Sequence, residues 1–83
     1  MLKIFKEDLE KLIIKTGIPI FNPSRSTTRI LLRQAIYVKL REKGLSYPEI
    51  GELFNKDHTT ILHSVQKAKP NNPFTAVVNE VMG

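Results

Sequence analysis

Apolar residues recur at helical spacing along almost the whole chain, and the alternation expected of a half-buried strand is nearly absent. Between Lys6 and Lys15, Leu9, Leu12 and Ile13 share one face, and Gly17 followed by Pro19 predicts where that helix ends. "GIPIFNPS" is too rich in Pro and Asn for a helix interior. Residues 17 to 24 are therefore expected to be a connection, with Ile18, Ile20 and Phe21 pinned to the core. Ser26 or Thr27 can cap the next helix, which runs to about Lys43 and stops at Gly44. Leu31, Ala35 and Val38 form one apolar row on it, and Leu32, Ile36 and Leu40 a second, so this is the longest and best-buried predicted element. Arg29, Arg33, Lys39 and Lys43 are left for its outer faces.

In "SYPEIGELF", Ser46 with Glu49 three residues later is a capping box, and Pro48 sits in the first turn, where its missing N–H costs nothing. Ile50, Leu53 and Phe54 give this short helix a buried face. Asn55 and Lys56 then make a tight connection to Asp57, a strong N-cap for a segment whose Ile61, Leu62 and Val65 lie on one side. Lys67 and Lys69 near its carboxyl end suit the helix dipole, and Pro70 forbids continuation. Two short helices joined by about three residues are a helix-turn-helix. Beyond "PNNP", the stretch from Phe74 to Met82 predicts a last helix, whose Phe74, Val77, Val78 and Val81 either cover the core or offer an apolar face to a protein partner.

Composition bounds this picture. A chain of 83 residues, 41% hydrophobic, builds one modest core, so residues 1 to 83 are expected to be a single domain. It has no cysteine, which removes disulfides and thiolate zinc sites. Lysines and acids break the first twenty residues, leaving no continuous apolar segment for a leader or membrane span, so the expectation is a soluble, cytoplasmic protein that needs no membrane. The net charge of +5 is concentrated in one block, where Arg25, Arg29, Arg33, Lys39, Arg41 and Lys43 face only Glu42. Such a block suits a polyanion, and arginine forks onto phosphates and guanine edges; a solvated helix face that maintains solubility would look the same.

The stretch "NKDHTTILHS" carries the sharper signal. In a helix-turn-helix the second helix enters the major groove amino end first, and here its first turn offers His58, Thr59 and Thr60 after the Asp57 cap. Histidine can donate or accept at base edges, threonine offers a hydroxyl and a methyl, and aspartate accepts from cytosine N4. Stiff β-branched threonines also lose little entropy on docking. The alternative is that Asp57 and Thr60 only cap the helix while His58 is an exposed polar residue. No catalytic site is expected. His58 and His63 are five apart, about 140° around a helix, and cannot form a one-face zinc pair, so no metal and no cofactor are expected. His63 fits a packed or backbone-contacting role, and Glu49 and Glu52 read as a cap and an exposed charge.

Residues 33 to 68, "RQAIYVKLREKGLSYPEIGELFNKDHTTILHSVQKA", resemble the carboxyl-terminal DNA-binding domain of the bacterial replication initiator DnaA. The likeness rests on Arg33-Gln34 opening a long helix, then Pro48-Glu49-Ile50-Gly51, Phe54, and Asp57-His58-Thr59-Thr60-Ile61-Leu62-His63. Upstream, "EDLEKLIIKTGI" is similar to that domain's first helix and "SRSTTR" to its basic loop, extending the likeness over about residues 5 to 69. The resemblance implies an all-α fold, a small helical domain with the helix-turn-helix of the Trp repressor and DnaA type.

It also implies double-stranded DNA as the partner, through a short asymmetric DnaA box of the TTATNCACA type. Carried over by motif, Asp57, His58, Thr59 and Thr60 would read major-groove bases, Arg33 and Gln34 would contact the same side of the duplex, and Pro48 would lie near its backbone or a thymine methyl. Arg25, with Arg29 as the alternative, is assigned to the adjacent minor groove, where A·T-rich narrowing concentrates negative potential. Arg29, Lys39, Lys56 and Lys67 are assigned to phosphates, which position the module without specifying sequence. An asymmetric box requires only a monomer, whereas a repressor dimer would require a palindromic site.

Three departures stand against the family pattern. The turn usually written Gly-Gly-Arg-Asp is shortened to Asn55-Lys56-Asp57, the run from Arg33-Gln34 to Pro48 is one residue short, and "TTRILL" adds residues after the basic loop. A shorter turn is expected to tilt the recognition helix and change the preferred box. The sequence holds no Gly-x-x-x-x-Gly-Lys-Ser/Thr loop, so no nucleotide is expected to bind. The expectation is therefore either a stand-alone box binder, of bacterial or phage origin and associated with the nucleoid, or the targeting domain of a larger initiator.

Overall fold

A computed structural model describes residues 2–21, 26–69 and 71–83, in which five helices follow one another: α1 (Leu2–Thr16), α2 (Thr27–Glu42), α3 (Tyr47–Phe54), α4 (His58–Lys67) and α5 (Thr75–Met82). Among the described residues there is no strand, and no helix is long and apolar enough to cross a membrane. The fold is all-α.

Each helix ends where local chemistry stops it. At the close of α1 the Thr16 hydroxyl donates to the Leu12 carbonyl (2.6 Å) and accepts from the Ile18 N–H (3.2 Å), while Gly17 takes the left-handed φ of 71° that reverses the chain. The connection then buries Ile20, keeps Ile18 half-buried and leaves Phe21 exposed. This corrects the expectation for Phe21. Neighbouring side chains of an irregular segment diverge, so with Ile20 directed inward Phe21 keeps only an edge contact, its ring centroid 5.4 Å from that of Phe54.

Ser26 caps α2, its hydroxyl accepting from the Arg29 N–H at 3.3 Å. Of the two predicted rows, Leu32, Ile36 and Leu40 are wholly buried, whereas in the other only Ala35 is; Leu31 and Val38 are half-buried, Val38 lining a groove against the chain after α4 and α5. Tyr37 is the unexpected core member of α2. Its ring meets Phe54 edge to face at 4.9 Å, and burial pushes its phenol up to about 12, against a smaller opposing pull from Arg33. The helix closes with a Schellman motif, in which Leu45 N–H reaches the Leu40 carbonyl (3.1 Å) and Gly44 N–H the Arg41 carbonyl (3.0 Å). Arg41 straps the corner from outside, donating to the Leu45 carbonyl at 2.7 Å and lying 4.5 Å over the Tyr47 ring.

The core is one cluster between α2 and the other helices, filled by Leu9 and Leu12 of α1, Ile20, the α2 row, Leu45, Ile50, Leu53 and Phe54 of α3, Ile61 of α4, and Val78 and Met82 of α5. The carboxyl-terminal helix is thus a packed element. It lies against α1 and α2, with its buried side supplied by Val78 and Met82 and its edges by Phe74, Val77 and Val81. Asn72 sets its approach: the side-chain amide donates to the Leu31 carbonyl (2.7 Å) and its oxygen accepts from the Phe74 N–H (2.9 Å). A Lys15–Glu80 ion pair ties α5 to the end of α1.

Candidate nucleic-acid interface

The capping box forms as the sequence requires. Ser46 Oγ accepts from the Glu49 N–H (3.3 Å), and Glu49 Oε1 accepts from the Ser46 N–H (3.0 Å) and hydroxyl (3.0 Å), which holds the Glu49 carboxyl below the usual carboxylate range. Pro48 stands exposed just inside this start, and Ile50, Leu53 and Phe54 bury the opposite face.

The turn to α4 is tight. Asn55 adopts left-handed φ 54°, ψ 47°, and the Lys56 N–H donates to the Gly51 carbonyl at 2.8 Å. The Lys56 carbonyl folds back over Gly51 so closely that a Cβ there would collide with it. Gly51 is therefore the residue that lets a turn of only Asn55, Lys56 and Asp57 bring α4 against α3. Sequence reasoning treated Gly51 as part of a motif and missed this role; the available signal was a glycine in the interior of a short, otherwise apolar helix.

Asp57 caps α4 through Oδ1, which accepts from the Thr59 N–H at 3.1 Å and lies 3.1 Å from His58 Nδ1. Asp57, His58, Thr59 and Thr60 are all exposed, and Ile61 is the one buried side chain of α4, with Leu62 and Val65 half-buried behind it. The first turn of α4 thus presents a run of polar groups on a rigidly capped helix end, with the exposed Lys56 directly before it and Lys67 in the last turn. Thr60 donates its backbone N–H to the Asp57 carbonyl (3.0 Å), leaving its hydroxyl outside the cap.

The remaining predicted residues are distributed more widely. Arg33 Nε donates to the Ile20 carbonyl at 2.8 Å, so this side chain also braces the connection between α1 and α2. Gln34 and Lys39 are half-buried in the groove of about 220 Å³ that runs between α2, Ala68 and Lys69 after α4, and Asn72, Thr75, Val78 and Asn79 of the tail. They therefore lie toward the carboxyl end of α4, away from its capped first turn, and Lys39 has Glu42 as a partner at 3.5 Å. Arg29 is half-buried in the first turn of α2. Arg25 lies outside the described residues, as does Pro70. Among the described residues no group of three or more His, Cys, Asp or Glu could hold a metal ion.

Residues 17–68, which run from the Gly17 turn through the end of α4, match the family model described as the bacterial dnaA protein helix-turn-helix. The chain belongs to the bacterial DnaA helix-turn-helix family. Among curated relatives, the chromosomal replication initiator protein DnaA of Geotalea daltonii is 53% identical over 45 residues, covering 52% of this chain and 10% of that protein. The same-named protein of Citrifermentans bemidjiense is 43% identical over 63 residues, covering 69% of this chain and 14% of the relative. That of Thermomicrobium roseum is 47% identical over 49 residues, or 57% of this chain and 10% of the relative. This chain thus spans only a small part of the length of these DnaA relatives. No solved structure gives a match.

Proposed function

We propose that this DnaA-type domain binds double-stranded DNA sequence-specifically, at a site of the DnaA-box class, and acts in replication initiation or its control. The observation that supports this reading most strongly is the first turn of α4. His58, Thr59 and Thr60 are exposed on a helix end fixed by Asp57 and by the turn over Gly51, and a module that only needed a capped helix would have no use for that polar run. In this reading His58, Thr59 and Thr60 meet base edges in the major groove, and Asp57 contributes its second oxygen while the first caps the helix.

Arg33 and Pro48 flank the same duplex and Arg25 enters the neighbouring minor groove, whereas Gln34, half-buried in the groove away from the first turn of α4, is left out of the base contacts. Arg29, Lys39, Lys56 and Lys67 contact phosphates, Lys39 exchanging Glu42 for the DNA backbone. One copy reads one asymmetric site. A protein-docking role for the tail is less well supported, because Val78 and Met82 are buried in the domain's own core.

The deciding experiment is fluorescence anisotropy on a labelled duplex carrying one TTATCCACA box and on a scrambled duplex, at two salt concentrations. Tighter binding to the box at both salts supports the reading. Equal and salt-sensitive binding would reduce it to a basic domain with a different site, and no binding at either salt would overturn it.

A further inference from the structure

Among the described residues, nothing covers the outer face of α1. Leu9 and Leu12 turn inward, while Ile4 and Ile14 stand 63% and 82% exposed, with Glu7 and Lys11 exposed between them. These four residues are spaced three, four and three apart, the repeat that places side chains in one line along a helix and seams two helices together. The two isoleucines bracket Glu7 and Lys11 on one solvent-facing stripe, which is apolar at its ends and charged at its centre.

The stripe is also complementary to itself. When a second α1 is laid antiparallel about a two-fold axis near position 9, Ile4 faces Ile14 of the other copy and Glu7 faces its Lys11, and both pairs recur on the far side of the axis. No other single register places both isoleucines on apolar partners and both charges on opposite ones. A parallel pairing would set Glu7 on Glu7 and Lys11 on Lys11. Asp8 and Glu10 lie beside the axis, where Asp8 of each copy opposes Glu10 of the other, and this acid-on-acid approach limits the pairing to a reversible association.

We infer that α1 is a homotypic docking surface through which two copies of this chain associate antiparallel, with Ile4 on Ile14 and Glu7 on Lys11. The pairing leaves α4 open on both copies, because α1 and α4 do not touch. Two such copies reach two DNA sites at once, and each can still read its own asymmetric site as a monomer would. The inference stands on α1 alone and does not depend on which DNA sequence α4 prefers.

Sedimentation equilibrium over a wide concentration range tests the association, and the absence of native cysteine makes cross-linking a clean test of register. The wild-type chain is expected to show reversible dimerisation that Ile14→Lys abolishes. Glu7→Lys is expected to weaken it, and Glu7→Lys combined with Lys11→Glu to restore it. Mixed Ile4→Cys and Ile14→Cys chains should form disulfide heterodimers, while Ile14→Cys alone should not, since the two copies of position 14 are ten residues apart, about 15 Å, along the paired helices. All these positions are exposed, and circular dichroism verifies that each variant is folded. A wild-type chain that remains monomeric to millimolar concentration overturns the inference, as does a dimer that survives Ile14→Lys or an Ile14→Cys homodimer that forms as readily as the mixed pair.

Discussion

Gly51→Ala separates two physical effects of opposite sign. In an ordinary helix interior, replacing glycine by alanine stabilises by about 1 kcal/mol through lost backbone freedom in the unfolded chain. Gly51 lies inside α3 without a positive φ, so on propensity alone the substitution should stabilise the domain. The added methyl, however, would collide with the Lys56 carbonyl oxygen, with His58 N only 3.5 Å away. The obstacle is backbone held by the Lys56 N–H to Gly51 carbonyl bond, so no side-chain rotation relieves it.

Overpacking of this kind costs about 1 to 3 kcal/mol, and displacing the turn adds about 1 kcal/mol for the weakened hydrogen bond. The clash outweighs propensity, and the expected net effect is destabilisation by about 1 to 3 kcal/mol. Urea unfolding followed by circular dichroism should show a lower midpoint with an unchanged slope. Because the same turn delivers Asp57 to the start of α4, the folded variant should also lose discrimination between box and scrambled duplexes more than it loses non-specific affinity. A midpoint that rises by the amount propensity predicts would refute the close approach and, with it, the account of how the shortened turn is accommodated.

Other substitutions test separate parts of the structure. Tyr37 is neutral in the core with its pKa raised from 10.0 to about 12, so its contribution is complete below pH 10 and is lost as pH rises toward 12; alkaline unfolding should be steeper in the wild type than in Tyr37→Phe across that window, and identical profiles would contradict the burial. Thr59→Ala should relax base preference at a cost of about 1 to 3 kcal/mol in binding, whereas Lys56→Ala should weaken all duplexes alike and lower the salt slope by about 1; altered base preference in Lys56→Ala would undo that division of roles. Asn72→Ala leaves the Leu31 carbonyl and the Phe74 N–H without their bonds, and a loss of about 1 to 3 kcal/mol in urea unfolding is expected; an unchanged midpoint would show that α5 docks without the clamp.

The helices and their caps were legible in the sequence because each is written in contiguous residues: Ser46 with Glu49, Asp57 before a polar turn, Gly17 and Gly44 at positive φ. Side chains whose place depends on a distant partner were not. Tyr37 falls between the two apolar rows of α2 and is buried only because Phe54 comes to meet it edge to face. Phe21 reads as core by its chemistry and is excluded by the inward turn of Ile20. Lys39 reads as a free cation on an outer face, yet the tail returns across α2 and makes that face the wall of a groove.

The same distinction explains the placement of α4. Its polar first turn is visible as a string of letters, but the direction in which that turn points is set by the Asn55–Asp57 connection, and that connection is possible because position 51 has no side chain. A chain with two glycines in the turn can relax a crowded approach in the turn itself. This chain has Asn55 there, already in the left-handed region, so the tolerance is transferred to Gly51 across the corner. The angle of α4 is consequently fixed by two residues that touch no DNA in the proposed complex, and a change in the preferred site relative to other DnaA-type domains should follow exchange of the turn even when Asp57, His58, Thr59 and Thr60 are left as they are.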